Sequence, residues 1–221
     1  MTKIILLLLS FIMCFTCMPI NANAFDFEVS DTPYDDSYYS GFSLADKEFK
    51  NCQVEDFSVN DNNEIAVATK KGINIYDQSG SFLYGYIVNT MGSSYSIDFH
   101  NDTIEIYRGR PQDYICLNKN GSIINKGFID EKNNDNKIAV NNISQSKGQR
   151  YRKYNEFDFE LNSTMTELVK IDENGEKNVI YSAGTLYRTI IITIIIFIFI
   201  TAIGFIIIFS RKIKRNSNNK N

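Results

Sequence analysis

The residues able to do chemistry are few and scattered. His100, in "DFHND", is the sole histidine. One imidazole does not make a multi-histidine metal centre, and the chain has no H-E-x-x-H, G-x-S-x-G or G-x-x-x-x-G-K pattern to supply a general base, a nucleophile elbow or a phosphate cradle. As a turn residue His100 reads as structural; a Cys–His nucleophilic pair with Cys52 or Cys116 is the sharper alternative. The stretches "DTPYDD" from Asp31 and "DEKNNDN" from Asp130 offer hard oxygen ligands for calcium. The second, however, puts Lys132 where an EF-hand loop needs a carboxylate or amide, and it lacks the central glycine. Both read as solvated turns. Asp35 and Asp36 are adjacent in sequence, so their carboxylates diverge and do not share a substrate proton. The expectation is no catalytic residue, no cofactor and no metal, and hence no enzyme.

Of four cysteines, Cys14 and Cys17 fall in the first apolar run, leaving Cys52 and Cys116 for the rest of the chain. They are either one disulfide of an exported domain or two small buried hydrophobes. Asn101, Asn120, Asn142 and Asn162 each begin an N-x-S/T triplet. All 13 tyrosines lie between Phe25 and Arg188, in a chain without tryptophan. Tyrosine serves both sheets and recognition surfaces.

Two apolar runs give the chain its address. "MTKIILLLLSFIMCFTCMPINANA" has Lys3, an apolar core and Ala22-Asn23-Ala24, the form of a secretory signal at 1–24. "TIIITIIIFIFITAIGFIIIFS", Thr189 to Ser210, carries no charge, and as a helix it reaches roughly 33 Å, enough for a bilayer core. Arg211, Lys212, Lys214 and Arg215 follow and are expected to lie at the lipid headgroups on the cytoplasmic side. The expected organisation is thus a signal at 1–24, an exported domain at 25–188, a membrane helix at 189–210 and a basic cytoplasmic tail at 211–221. All 26 acidic residues lie in the exported domain, which argues against a nucleic-acid partner.

The exported domain repeats a single kind of turn. "INIYDQSGSFLYGY", "YICLNKNGSIINKG" and "LVKIDENGEKNVIY" align on Gly80, Gly121 and Gly175, with Asp77, Asn118 and Asp172 three residues earlier. An Asp or Asn caps the first corner, and glycine accepts the left-handed backbone that closes a hairpin. Upstream, "NNEIAV", "NDTIEI" and "DNKIAV" each predict a polar turn entering a short strand of alternating apolar residues. Ile65, Ile104 and Ile138 are 39 and 34 residues apart, a propeller-blade period.

These turns and strands resemble NHL-like and other β-propeller repeats, in which an apolar strand ending D-x-x-G returns once per blade. The resemblance covers about Asp56 to Tyr181 and implies an all-β domain of propeller-like meander repeats, three recognisable units or four; the apolar run at 189–210 adds one C-terminal transmembrane helix to the expected fold. The third unit is stretched by an expected insertion, whose Arg150, Tyr151, Arg152, Tyr154 and Phe157 are the expected partner-facing residues. The repeats, the membrane anchor and the missing catalytic motifs together lead to the expectation of a single-pass, membrane-anchored extracytoplasmic binding protein, its partner a membrane or extracytoplasmic protein or a small ligand. An accessory subunit acting through its membrane helix and an extracytoplasmic enzyme are the alternatives.

Overall fold

A side chain that caps its own turn sets the rhythm of the chain. The computed structural model describes residues 29–31, 34–35, 37–184, 189–190, 192–201 and 203. They belong to two units, Met1–Ser182 and Ala183–Asn221. In the first unit Asp77, Asn118 and Asp172 each accept backbone N–H groups two and four residues ahead. The N–H of Gly80, Gly121 or Gly175 returns to the carbonyl of the capping residue. These glycines hold φ of +85°, +77° and +78°, the left-handed region that favours glycine.

The turns link strands into three antiparallel meanders. The first sheet is β3 (Val54–Val59), β4 (Ile65–Thr69), β5 (Gly72–Tyr76) and β6 (Phe82–Ile87). The second is β7 (Tyr95–His100), β8 (Thr103–Arg108), β9 (Asp113–Asn118) and β10 (Ile123–Ile129). The third is β11 (Tyr151–Tyr154), β12 (Phe157–Leu161), β13 (Glu167–Ile171) and β14 (Lys177–Ser182). Two earlier strands extend the outer edges: β1 (Val29–Ser30) pairs with β10, and β2 (Ser43–Ala45) pairs with β6. The arrangement is propeller-like, and no closure of the sheets into a ring is found among the described residues.

The first sheet lies between the other two. One face gives Ala66, Ala68, Ile73, Ile75 and Tyr86 to a core shared with Ile97, Phe99, Ile104, Ile106, Ile115 and Leu117 of the second. On the other face Phe57 and Tyr76 meet Phe159 and Tyr181 of the third. Every residue of β4 and β5 is therefore buried, and their sequences run "IAVAT" and "GINIY" without the polar alternation of a half-solvated strand.

The two outer sheets end differently. On the second, a helix, α1 (Asn134–Gly148), lays Val140 and Ile143 over Tyr107, Tyr114, Cys116 and Ile129. The segment "DNKIAV" is thus helix, contrary to the expected third strand, and the domain is not purely β. The cause is local: Asn133 caps the Asp135 N–H, Asp135 suits the first turn, and no breaker interrupts the run before Gly148. The outward side of the third sheet instead carries Tyr151, Lys153, Asp158, Glu160 and Lys177, with Tyr151 and Lys177 both bonded to Glu160. Terminal units of a stack need such a cover or a polar face.

The partner-facing stretch Arg150–Phe157 of the expected insertion is not a loop. It is β11, a tight turn and the start of β12, and Arg152 is buried because its cation has a partner in the first sheet.

In the second unit residues 189–190, 192–201 and 203 are helical with exposed side chains. Among the described residues no helix is long and apolar enough to cross a membrane. Residues 204–210 of the expected span, Arg211, Lys212, Lys214 and Arg215 of the tail and the whole expected signal lie outside the described residues.

The turns give a graded prediction. A Cβ on Gly121 would lie 2.6 Å from the Leu44 amide nitrogen, whereas one on Gly175 meets nothing within 4 Å. Gly175→Ala should cost about 1 kcal/mol for the left-handed backbone alone. Gly121→Ala should cost roughly 3 kcal/mol, because β2 must also move. Denaturant midpoints of the two variants check the order.

Candidate functional site

The innermost strand of each sheet has one edge with no strand beside it, and its backbone groups need other partners. Along β3 and β7 those partners are side chains. Asp56, buried, accepts the Phe57 N–H at 2.9 Å through Oδ1 and the Ile97 N–H at 3.0 Å through Oδ2. Ser58 Oγ accepts the Phe99 N–H at 3.1 Å while donating to Asp98 Oδ1 at 2.9 Å. Asn60 donates to the Asn101 carbonyl at 2.9 Å. Three alternate residues along β3 and its end therefore hold the free edge of the second sheet.

From the other side comes Arg152 of β11. Its Nη2 donates to Asp56 Oδ1 at 2.6 Å and its Nη1 to the Phe57 carbonyl at 2.6 Å, with the guanidinium 4.4 Å from the centre of the Phe57 ring. Burial works against this charge, but Asp56 and Tyr154 more than offset it and hold the Arg152 pKa above its ordinary value. Tyr154 adds its hydroxyl to the Phe57 carbonyl, and burial raises its own pKa. Asp56 is thus shared by all three sheets.

At the far end of β7, His100 Nε2 stands 3.1 Å from Asp98 Oδ2. The hydrogen bond to Asp98 raises the His100 pKa against the opposing effect of burial. Glu105 lies opposite Asp98 on β8 and takes the Tyr114 hydroxyl at 2.8 Å. Chemically this is an imidazole–carboxylate pair beside a second carboxylate, able to hold or release one proton. Among the described residues no three His, Cys, Asp or Glu side chains are grouped to bind a metal ion.

A second buried ion pair lies away from these inner edges. Arg108 and Asp113, directly opposed on β8 and β9, join through two hydrogen bonds. Tyr38 and Phe42 rings lie 5.3 and 5.6 Å from the guanidinium. Burial, with Asp113 nearby, pushes the Tyr38 pKa up to about 12. The pair anchors the segment leading into β2.

The structure separates several residues that the sequence grouped. Cys52 and Cys116 are both free and buried, so the disulfide alternative is overturned. Cys52 sits beside the Tyr181 hydroxyl near the third sheet, while Cys116 faces Ile143 of α1 across the second. Burial raises the Cys116 pKa and leaves the thiol protonated. Of the expected partner-facing residues, Tyr151 is 67% exposed and Arg150 is exposed, whereas Arg152 is buried and Tyr154 and Phe157 are half-buried. Asp77, Gly80, Asn118, Gly121, Asp172 and Gly175 stay at the turns and out of any cluster.

Asp56 and Asp98 were not singled out from the sequence, yet a signal was there. Both precede a phenylalanine on the innermost strand of a unit, "EDFSV" and "IDFHN", and both accept the N–H of that phenylalanine.

No protein-family model and no curated protein matches the chain. Among solved structures it is similar to Kluyveromyces lactis Hsv2, at 12% identity and TM-score 0.32 over 59% of this chain and 37% of that one. It is also similar to a catalytically inactive virginiamycin B lyase from Staphylococcus aureus, solved with quinupristin, at 12% and 0.31 over 62% and 45%. A protein of unknown function from Bacteroides caccae gives 14% and 0.29 over 71% and 58%. The chain spans less than two thirds of the length of each.

Removing one member of the Asp56–Arg152 pair leaves a buried charge alone. Arg152→Leu is expected to destabilise the chain by about 3–5 kcal/mol. Combining it with Asp56→Asn should cost less than the sum of the two single changes, by about 1–3 kcal/mol. A double-mutant cycle on denaturant unfolding measures that coupling, and strict additivity contradicts the pairing.

Proposed function

We propose that the chain is a single-pass, membrane-anchored extracytoplasmic binding protein, its propeller-like unit outside the cell and its C-terminus in the cytoplasm. One observation carries the reading. The helical residues of the second unit expose isoleucine and phenylalanine on every side, with Phe197 and Phe199 at 68% and 67% exposure. Each such side chain held in water forgoes about 1.5–3 kcal/mol of burial. A lipid surround removes that cost, and the basic run from Arg211 suits a cytoplasmic boundary.

The binding half of the reading is supported by how the first unit uses its buried ionic groups. Asp56, Arg152, Arg108 and Asp113 are committed to holding sheets and segments together. What remains for a partner is the outside of the unit. Arg150, exposed just before β11, and Tyr151, on the outward side of the third sheet, keep their place as partner-facing candidates; Arg152, Tyr154 and Phe157 are left to the fold. The acidic balance of the exported domain favours a protein or small ligand over nucleic acid.

Cysteine labelling, with Cys14 and Cys17 replaced by serine, tests the topology. Cys52 and Cys116 are buried and give little background. With a membrane-impermeant maleimide, Glu173→Cys should label in intact cells, and Asn219→Cys only after permeabilisation. The chain should stay with membranes after an alkaline wash. Labelling in the reverse order, or release of the chain by the wash, overturns the reading.

A further inference from the structure

The contact between the first two sheets ends on the one histidine of the chain. Asp98 is buried with its Oδ1 committed, accepting the Ser58 hydroxyl at 2.9 Å and the Phe99 N–H at 3.0 Å. Its Oδ2 lies 3.1 Å from His100 Nε2, an ion-pair contact when the ring is protonated. The Asp98 side chain is 7% exposed and that of His100 38%, so the imidazole exchanges protons with solvent while the carboxylate does not leave the interior.

The groups around the imidazole are acidic. Asp98 shares its strand, Glu105 faces it from β8 and Asp61 from the turn after β3, while Thr103, directly opposite, is neutral. From the third sheet Tyr154 gives its hydroxyl to the Phe57 carbonyl, and Arg152 is already held by Asp56. A protonated His100 therefore sets a positive charge against the buried Asp98 carboxylate. Deprotonation removes that attraction from a carboxylate held in low dielectric at the contact, which is costly.

We propose that His100 and Asp98 form a pH-sensitive latch on the contact between the first and second sheets. Protonation of His100 tightens Asp98 onto Ser58 and the edge of β7; deprotonation loosens that edge. The pKa of His100 is raised in the folded chain, so the pairing contributes fully below the ordinary histidine value, near 6.5. Its contribution is lost as the pH rises through the folded value. For a domain facing the outside medium, that window is one that surroundings sample.

The full chain in detergent micelles provides the test. Because His100 is the sole histidine, its ring proton resonance reports its titration without assignment. Amide exchange at Ile97 and Phe99, corrected for intrinsic base catalysis, reports the latch. Protection should fall about threefold as the pH rises through that titration, the scale of one partly exposed ion pair. The step should vanish in His100→Gln. Flat protection through the titration, or the same step in His100→Gln, overturns the proposal. Should His100→Gln not fold, Glu105→Gln carries the test: it should lower the ring midpoint and the exchange step together. An unmoved ring midpoint, or a step that stays where it was, overturns it equally.

Discussion

Asp56 carries the constraint on which the rest of the fold depends. A stack of separate sheets, each with its own first strand on the inside, exposes as many free inner edges as it has sheets, and a buried N–H without an acceptor is costly. One carboxylate answers that need for both β3 and β7, accepting one N–H from each. Its negative charge would be untenable in so buried a place without Arg152, which arrives from the third sheet and also takes the Phe57 carbonyl. The apolar faces press the sheets together, and this ionic tie fixes their register and approach. Apolar packing alone would tolerate a slide of one sheet over another; paired, directional bonds do not.

The same need for covered surfaces accounts for the ends of the array. A closed ring has no terminal blade, but three sheets in a row have two outward faces that cannot both be apolar. The second sheet is covered by α1, whose Ile143 packs against the ring of residues around Cys116. The third turns a face of Lys, Asp, Glu and Tyr to solvent, knit by Glu160. Lys147, near the end of α1, reaches the Tyr95 carbonyl at 2.8 Å and lies 3.6 Å from Glu55, returning the helix to the inner strands before β11 begins. The long connection between the second and third sheets is thus a structural member.

Function follows from what these ties leave over. Polar chemistry in the interior is mostly bound in pairs, and the half-exposed His100 is the inner-strand group best placed to respond to solvent. The exposed apolar surface of the second unit is of another kind, since it has no partner of its own chemistry among polar neighbours or water. The proposed binding module tied to a membrane is a reading that accommodates both features.

Much of this was legible in the sequence wherever the cause was local. The hairpins at Gly80, Gly121 and Gly175 could be read because glycine and the Asp or Asn three residues earlier determine the turn without help from the rest of the chain. At Asn60–Asn63 only a polar turn was legible and at Asn162–Met165 none, because Asn63 and Met165 occupy the left-handed position without glycine, at φ of 60° and 55°, in turns capped by Asn60 and Asn162. "DNKIAV" fits both a strand and a helix, and only the run that follows it and the apolar face of the second sheet decided for the helix. Arg152 looked like a surface cation until the third sheet met Asp56, a residue 96 positions away. The sequence by itself determined the turn chemistry, the strand-rich class, the two apolar runs and the acidic balance of the region between them. Tertiary structure alone decided which charges are buried, that Cys52 and Cys116 lie apart, and that the third unit packs on the first. Those outcomes depend on which faces meet, and pairing across a distance leaves no local mark on either residue.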